Sequence, residues 1–179
     1  MGEVMNINKK YQIIYADPPW SYNDKSLHRG GAERHYPTMT KIDLEDLPVK
    51  DIAEDNAVLF LWVTFPKIQD GLDLIKAWGF QYKTLGFVWI KKNKKSDSLF
   101  WGMGHWTRSN PEVCLIATKG KIKRIDPGVH SVIEAPISKH SEKPIVARQR
   151  IEELMGGLSK IELFARQKYD GWDHWGNEL

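Results

Sequence analysis

A single cysteine, Cys114, stands in 179 residues, so the chain cannot staple itself with a disulfide, and a reducing, cytoplasmic setting fits it best. Long apolar runs are missing too. The most continuous, Ala57 to Val63, is far too short to cross a bilayer, and Met1 to Lys10 hold no signal-type apolar core. No G-x-G-x-x-G follows a strand pattern, which counts against an NAD or FAD enzyme. His28, His35, His105 and His140 are scattered without the spacing of metal ligands, and no metal site is expected. No repeat, low-complexity tract or Pro/Gly/Ser linker divides the chain, and its length suffices for one core, so residues 1–179 are expected to form a single domain. A net charge of +3 permits a polyanionic partner without requiring one.

What is present argues for a packed α/β protein. A 41% hydrophobic content with balanced charge excludes disorder. Tyr11 to Ala16 is a β-branched and aromatic run that stops at Asp17-Pro18-Pro19, where two prolines end strand pairing. Ala57 to Val63 is apolar throughout, as a strand covered on both faces must be. Pro66 can open a helix whose Ile68, Leu72 and Ile75 share a face up to Gly79, and a strand is expected from about Phe80 to Ile90. A further strand is expected over Glu112 to Thr118, a helix from Pro144 to Gly156 with Ala147, Ile151 and Leu154 inward, and a last strand over Lys160 to Ala165. Ser21 to Thr40, Lys91 to Asn110 and Lys123 to Glu142 read as irregular. Strands alternating with helices predict a mostly parallel sheet covered on both faces, with ligands beyond the carboxyl ends of its strands.

Two features carry chemistry. In Asp17-Pro18-Pro19-Trp20 the prolines stiffen the chain and leave carbonyls without competing donors, so an acid, a carbonyl and an aromatic are held together. That set suits an exocyclic amine on a flat base: Asp17 and the Pro18 carbonyl accept its two hydrogens while an aromatic ring stacks on the base. The bland alternative is a turn after a strand with Trp20 as a core anchor. Eight tryptophans favour the stacking of flat ligands, although most tryptophans fill cores. Beside the second loop, Lys91, Lys92, Lys94 and Lys95 form a basic run suited to phosphate contacts.

Ala16 to Asn23, ADPPWSYN, resembles the catalytic motif of the DPPW-type adenine N6-methyltransferases, a group that includes the catalytic subunit of the eukaryotic mRNA adenosine methyltransferase and many bacterial and phage DNA enzymes. The likeness continues in the family's order through His35 to Met39, Phe60 to Val63, Gly104-His105-Trp106 with Glu112 and Cys114, Ser141 to Pro144, Ile161 to Phe164 with Arg166, and Trp175-Gly176-Asn177. It spans nearly the whole chain. The resemblance implies a Rossmann-like methyltransferase fold in permuted order, with the catalytic strand first and cofactor-binding elements near the C-terminus.

It further implies S-adenosylmethionine as cofactor and adenine N6 as acceptor, with DNA placed ahead of RNA as the polymer. Asp17, Pro18, Pro19 and Trp20 become the catalytic set. Asp17, Lys143, Glu162, Arg166 and Asn177 become cofactor residues, with Lys143 toward the methionine carboxylate, Glu162 and Arg166 as a pair near the ribose, and Asn177 toward the adenine. Tyr22, Tyr36, Trp106, Arg108 and Glu112 match positions that frame the target base or its strand. From the residues alone, Glu162 and Arg166 would be a surface ion pair, Asn177 a tail residue, and the loop aromatics pins to the core. The chain starts about ten residues before its first strand, so the family's upstream cofactor-contacting segment is expected to be short or missing. A monomer or homodimer, with room for a heteromeric partner, is expected. The competing function is a catalytically silent nucleic-acid-binding subunit, but such partners lose the Asp-Pro-Pro-Trp set that this chain keeps.

Overall fold

The computed structural model describes residues 5–22, 38–138, 142–177 and 179. Tyr36, His28, His35, His140 and Ser141 lie outside them. The first strand, β1 (Tyr11–Ala16), is the axis of the fold. Its alternate residues serve two cores: Ile14 and Ala16 pack with Leu59, Leu61 and Val63 on one face, and Ile13 and Tyr15 with Val58, Phe60 and Trp62 on the other. Because both faces are buried, neither β1 nor the run Ala57 to Val63 shows polar alternation. Burying each large apolar side chain contributes about 1.5 to 3 kcal/mol, and these two strands supply many of them.

The remaining strands are β2 (Ala53–Val63), β3 (Gln81–Lys92), β4 (Glu112–Lys119), β5 (Val132–Pro136), β6 (Lys160–Leu163) and β7 (Asp173–Trp175). They form one seven-stranded sheet in the order β5-β3-β4-β2-β1-β6-β7. Pairing is parallel except at β4, which runs antiparallel to both β2 and β3. Helices α1 (Lys41–Glu45), α2 (Val49–Ile52) and α3 (Ile68–Ala77) give Leu44, Val49, Ile52, Leu74 and Ile75 to one core. Helix α4 (Ile145–Met155) gives Ala147, Ile151 and Met155 to the other. The fold is thus the expected Rossmann-like α/β arrangement, with a mostly parallel sheet and helices on both faces. Among the described residues, no helix is long and apolar enough to cross a membrane.

Departures from the sequence reading fall at the edges. β5 lies inside the stretch expected to be irregular, and β7 is an unexpected strand at the opposite edge. Each is short and only partly buried, and β5 ends at a proline, which only an edge strand tolerates. Helix α1, also unexpected, starts at a capping box in which Thr40 Oγ1 accepts from the Asp43 N–H at 3.2 Å. β3 runs through Lys92, so Lys91 and Lys92 are strand residues.

This topology gathers the candidate site residues at one edge of the sheet. Ala16 is level in register with Leu61 of β2 and with Leu163 of β6, so the ends of all three strands open on the same side. Reversal of β4 adds its amino end there, with Val113 beside Val63 and Glu112 beside Trp89 of β3. Asp17, Thr64, Lys91, Glu112, Phe164 and Arg166 are therefore all delivered to that edge.

Candidate active site

Asp17 follows directly on β1, and its side chain is one-fifth exposed, opening into a cleft lined by Glu142, Lys143, Arg148, Glu162, Phe164, Arg166 and Gln167. Lys143, just before α4, is almost fully buried and holds two carboxylates at once, Asp17 Oδ2 and Glu112 Oε2, each 3.0 Å from Nζ. Its ammonium also lies 5.7 Å from the centre of the Trp62 ring. Glu112 takes a second cation from Lys91, at 2.9 Å. Lys91, Glu112, Lys143 and Asp17 thus form one continuous line of alternating charge.

The electrostatics follow from this line. Burial pushes the Asp17 carboxyl above the ordinary aspartate range, and Lys143 only partly offsets it. Burial also acts against ionised Glu112, but Lys143 and Lys91 outweigh it and hold that carboxyl down at about 2. Burial opposes the Lys143 charge as well, yet Asp17 and Glu112 raise its affinity for a proton above that of an ordinary lysine. Glu112 is therefore firmly ionised, and Asp17 is the carboxylate poised nearer to protonation.

The far wall of the cleft comes from α4 and β6. Glu162 is buried and accepts from Arg148, with Nε to Oε2 at 2.7 Å and Nη2 to Oε1 at 2.5 Å. After β6 the chain turns at Phe164, which adopts φ of 60°, a left-handed conformation that a bulky residue holds at a cost of about 1 to 3 kcal/mol. An edge-to-face contact with Trp175, 5.4 Å between ring centres, braces that turn. Arg166 emerges just beyond it at the cleft.

On the other side of Lys143 lies a wide groove formed by residues 100–112 together with Tyr22, Thr64, Phe65, Pro66 and Lys91. Asn110 anchors its loop: Oδ1 accepts from the Lys91 N–H at 2.9 Å, and Nδ2 donates to the Lys91 and Phe100 carbonyls. Trp101 and Met103 are exposed, and Trp106 is completely so.

The MT-A70 family pattern matches residues 11–178. The chain belongs to the MT-A70 family. It is 37% identical over 96% of its length to the type II methyltransferase M.MunI of a Mycoplasma species, of which it covers 78%. It is 31% identical over 98% of its length to the N(6)-adenosine-methyltransferase catalytic subunit of Homo sapiens and 32% identical to the MT-A70-like N(6)-adenosine-methyltransferase of Drosophila melanogaster. The chain spans 28% and 29% of the length of the fly and human relatives.

Within this MT-A70 chain, Asp17, Lys143, Glu162 and Arg166 come together at one cleft, but not in the expected pairs. Glu162 is bonded to Arg148 rather than Arg166, and it is buried, not a surface carboxylate. Sequence reasoning missed Arg148, yet there was a signal: it sits three and seven residues before Ile151 and Met155 on the buried stripe of α4, where a charge requires a partner. Asn177 is exposed beyond β7 and does not line the cleft. It does lie next to the Arg166 segment, because Gly176 packs so closely on Ala165 that a Cβ there would stand 2.4 Å from the Ala165 carbonyl oxygen.

The Asp17-Pro18-Pro19-Trp20 tetrapeptide also differs from expectation in detail. The Pro18 carbonyl accepts from the Trp20 N–H at 2.9 Å, and that of Pro19 from the Met39 N–H at 2.9 Å. Pro18 therefore offers only its second lone pair. Trp20 is buried, its Nε1 donating to the Trp62 carbonyl at 3.3 Å, so it anchors the motif and its ring is not free to stack on a base. Tyr22, Trp106, Arg108 and Glu112 all line the groove. Of these, Arg108 donates from Nε to the Gly102 carbonyl at 2.9 Å and serves its own loop. Tyr22 shares a 2.6 Å hydrogen bond with Thr64. The basic run is divided: Lys91 is paired with Glu112, and Lys92 with Asp97 and Glu134, while Lys94 and Lys95 are exposed.

Proposed function

We propose that this chain transfers a methyl group from S-adenosylmethionine to the N6 amine of adenine in a nucleic acid, DNA ahead of RNA. The observation that carries the reading is Asp17 in the charged cleft, tied through the shared Lys143 ammonium to Glu112, which lines the aromatic groove. Preference for DNA rests on the greater identity and coverage shared with the type II enzyme than with the adenosine methyltransferases, whose name specifies a ribonucleoside.

The cleft's donor set fits the cofactor. A sulfonium amino acid joined to a nucleoside carries a carboxylate, cations, hydroxyls and a flat ring, and the cleft offers cations at Arg166 and Lys143, carboxylates at Asp17 and Glu162, and the Phe164 ring. Asp17, Lys143, Glu162 and Arg166 would hold it, with Asn177 beside them past Gly176. When bound, S-adenosylmethionine supplies the activated methyl group.

The chain's own residues do the rest by positioning. Lys143 occupies Oδ2 of Asp17 and leaves Oδ1 to accept one hydrogen of the amine. The second lone pair of the Pro18 carbonyl accepts the other. With both hydrogens held, the nitrogen lone pair is turned toward the cleft. Trp20 and the prolines keep the two acceptors in place, and the exposed rings of the groove provide stacking faces for unpaired bases. A base in a duplex must first leave its stack, at a cost of a few kcal/mol, so single-stranded substrates are expected to react at least as fast as duplexes.

The test is incubation of the protein with labelled S-adenosylmethionine and separate DNA and RNA oligonucleotides, followed by digestion to nucleosides. Label in N6-methyldeoxyadenosine supports the reading. Label only in N6-methyladenosine would reassign the polymer, and label in neither would overturn it.

A further inference from the structure

Methyl transfer by the residues above makes no use of the Arg148 side chain beyond its grip on Glu162. That side chain is only 7% exposed and is packed between two rings, its guanidinium carbon 5.3 Å from the centre of Tyr15 and 3.9 Å from that of Tyr169. Nε and Nη2 are taken by Glu162. Nη1 is buried and has no hydrogen-bond partner among the described residues, and Arg148 lines the cleft with Asp17, Glu162, Phe164 and Arg166. A buried guanidinium nitrogen with no acceptor bears the cost of desolvation without return, so it calls for an oxygen supplied from outside the protein.

We propose that Arg148 is a ligand-binding residue whose Nη1 donates to a sugar hydroxyl of the molecule held in this cleft. Glu162 neutralises the guanidinium and stands beside it, so a ligand carboxylate would meet a like charge there. A hydroxyl is neutral and can both accept and donate. Two neighbouring hydroxyls therefore complement a free Nη1 donor and the remaining lone pairs of Glu162 together. The Tyr15 and Tyr169 rings and the Glu162 carboxylate hold the donor in place in the absence of ligand.

This inference rests on the cofactor reading above, and the test separates the two. Calorimetry would compare S-adenosylhomocysteine with its 2′,3′-dideoxy analogue on the wild-type chain, on Arg148→Lys, which keeps the charge but lacks the guanidinium fork, and on Glu162→Gln with and without Arg148→Lys. The expected result is that Arg148→Lys weakens S-adenosylhomocysteine about tenfold or more and the dideoxy analogue by less than about twofold. The loss should persist in the Glu162→Gln background. Equal weakening of both ligands would mean that Arg148 only shapes the cleft, and disappearance of the loss with Glu162→Gln would mean that it only orients Glu162; either overturns the proposal, as does unchanged affinity. A wild-type chain that binds neither ligand overturns the cofactor reading itself.

Discussion

The two sides of Lys143 are built on opposite principles. Toward Glu162 the cleft is made of side chains held firmly by their neighbours: Arg148 by Glu162 and two tyrosine rings, Lys143 by Asp17 and Glu112, and Phe164 by Trp175. Toward Trp106 the groove is made of exposed rings on a long loop anchored by the side chain of Asn110. A small ligand of fixed structure rewards fixed partners, since rigidity is settled before binding. A polymer with variable sequence rewards flat surfaces that accept any base. On the proposed function, the contrast implies that affinity for the cofactor and affinity for the strand are separately mutable, with Lys143 linking Asp17 on one side to Glu112 on the other.

The largest expected effect comes at Asp17. Asp17→Ala should lower the transfer rate by about 10²- to 10³-fold or more, a larger factor than its weakening of S-adenosylhomocysteine binding, while the unfolding midpoint changes little. Rates measured on the folded variant check this, and turnover like that of the wild type would remove Asp17 from the chemistry.

Lys143→Met breaks the charge line from the middle. Leaving Asp17 and Glu112 buried without their shared cation should cost about 3 to 5 kcal/mol of stability at neutral pH, read by denaturant unfolding. The sign with pH is fixed by the two carboxyls. Glu112 lies at about 2 in the fold against an ordinary 4.5, so the wild type draws stability from it above 4.5 and loses that stability as pH falls toward 2. Without Lys143 this contribution shrinks. Asp17, already raised by burial, loses its main opposing cation, so the acid limb of kcat/KM should move to higher pH. A limb that stays in place would separate Asp17 from Lys143 functionally.

Asn110→Ala should sharpen the comparison from the groove side. It removes the partner that Asn110 gives to the Lys91 N–H and to the Lys91 and Phe100 carbonyls, costing about 1 to 3 kcal/mol locally. The KM for an oligonucleotide should rise with little change in kcat or in cofactor affinity. The smallest effect is expected from Lys94→Gln with Lys95→Gln: the slope of log affinity against log salt should flatten by roughly 0.7 to 0.9 per lysine that meets a phosphate.

How far the sequence could be read follows the same division. The candidate-site end of the sheet is legible because it lies on buried strands, where continuous apolar runs and a proline stop mark both the strand and the edge it opens on; the family's motifs point to Asp17, Lys143, Glu162 and Arg166, which share one cleft. Their partners were not legible. Glu162 is matched by Arg148 because α4 turns that residue inward over β6, a tertiary fact with only a faint trace in the helix pattern. Trp20 and the Pro18 carbonyl are engaged by Trp62 and by a local turn that the tetrapeptide does not announce. The edge strands β5 and β7 escaped because they are short and only partly buried, so neither periodicity nor composition marks them.

The most direct test of the division is a crossed calorimetric measurement on Arg166→Ala and Trp106→Ala, each titrated with S-adenosylhomocysteine and with an adenine-containing single-stranded oligonucleotide. Arg166→Ala should weaken S-adenosylhomocysteine and leave the oligonucleotide unchanged. Trp106→Ala should weaken the oligonucleotide by about 1 to 3 kcal/mol and leave S-adenosylhomocysteine unchanged. If Trp106→Ala instead weakened S-adenosylhomocysteine while Arg166→Ala weakened only the oligonucleotide, the cofactor and the strand would lie on the opposite sides of Lys143.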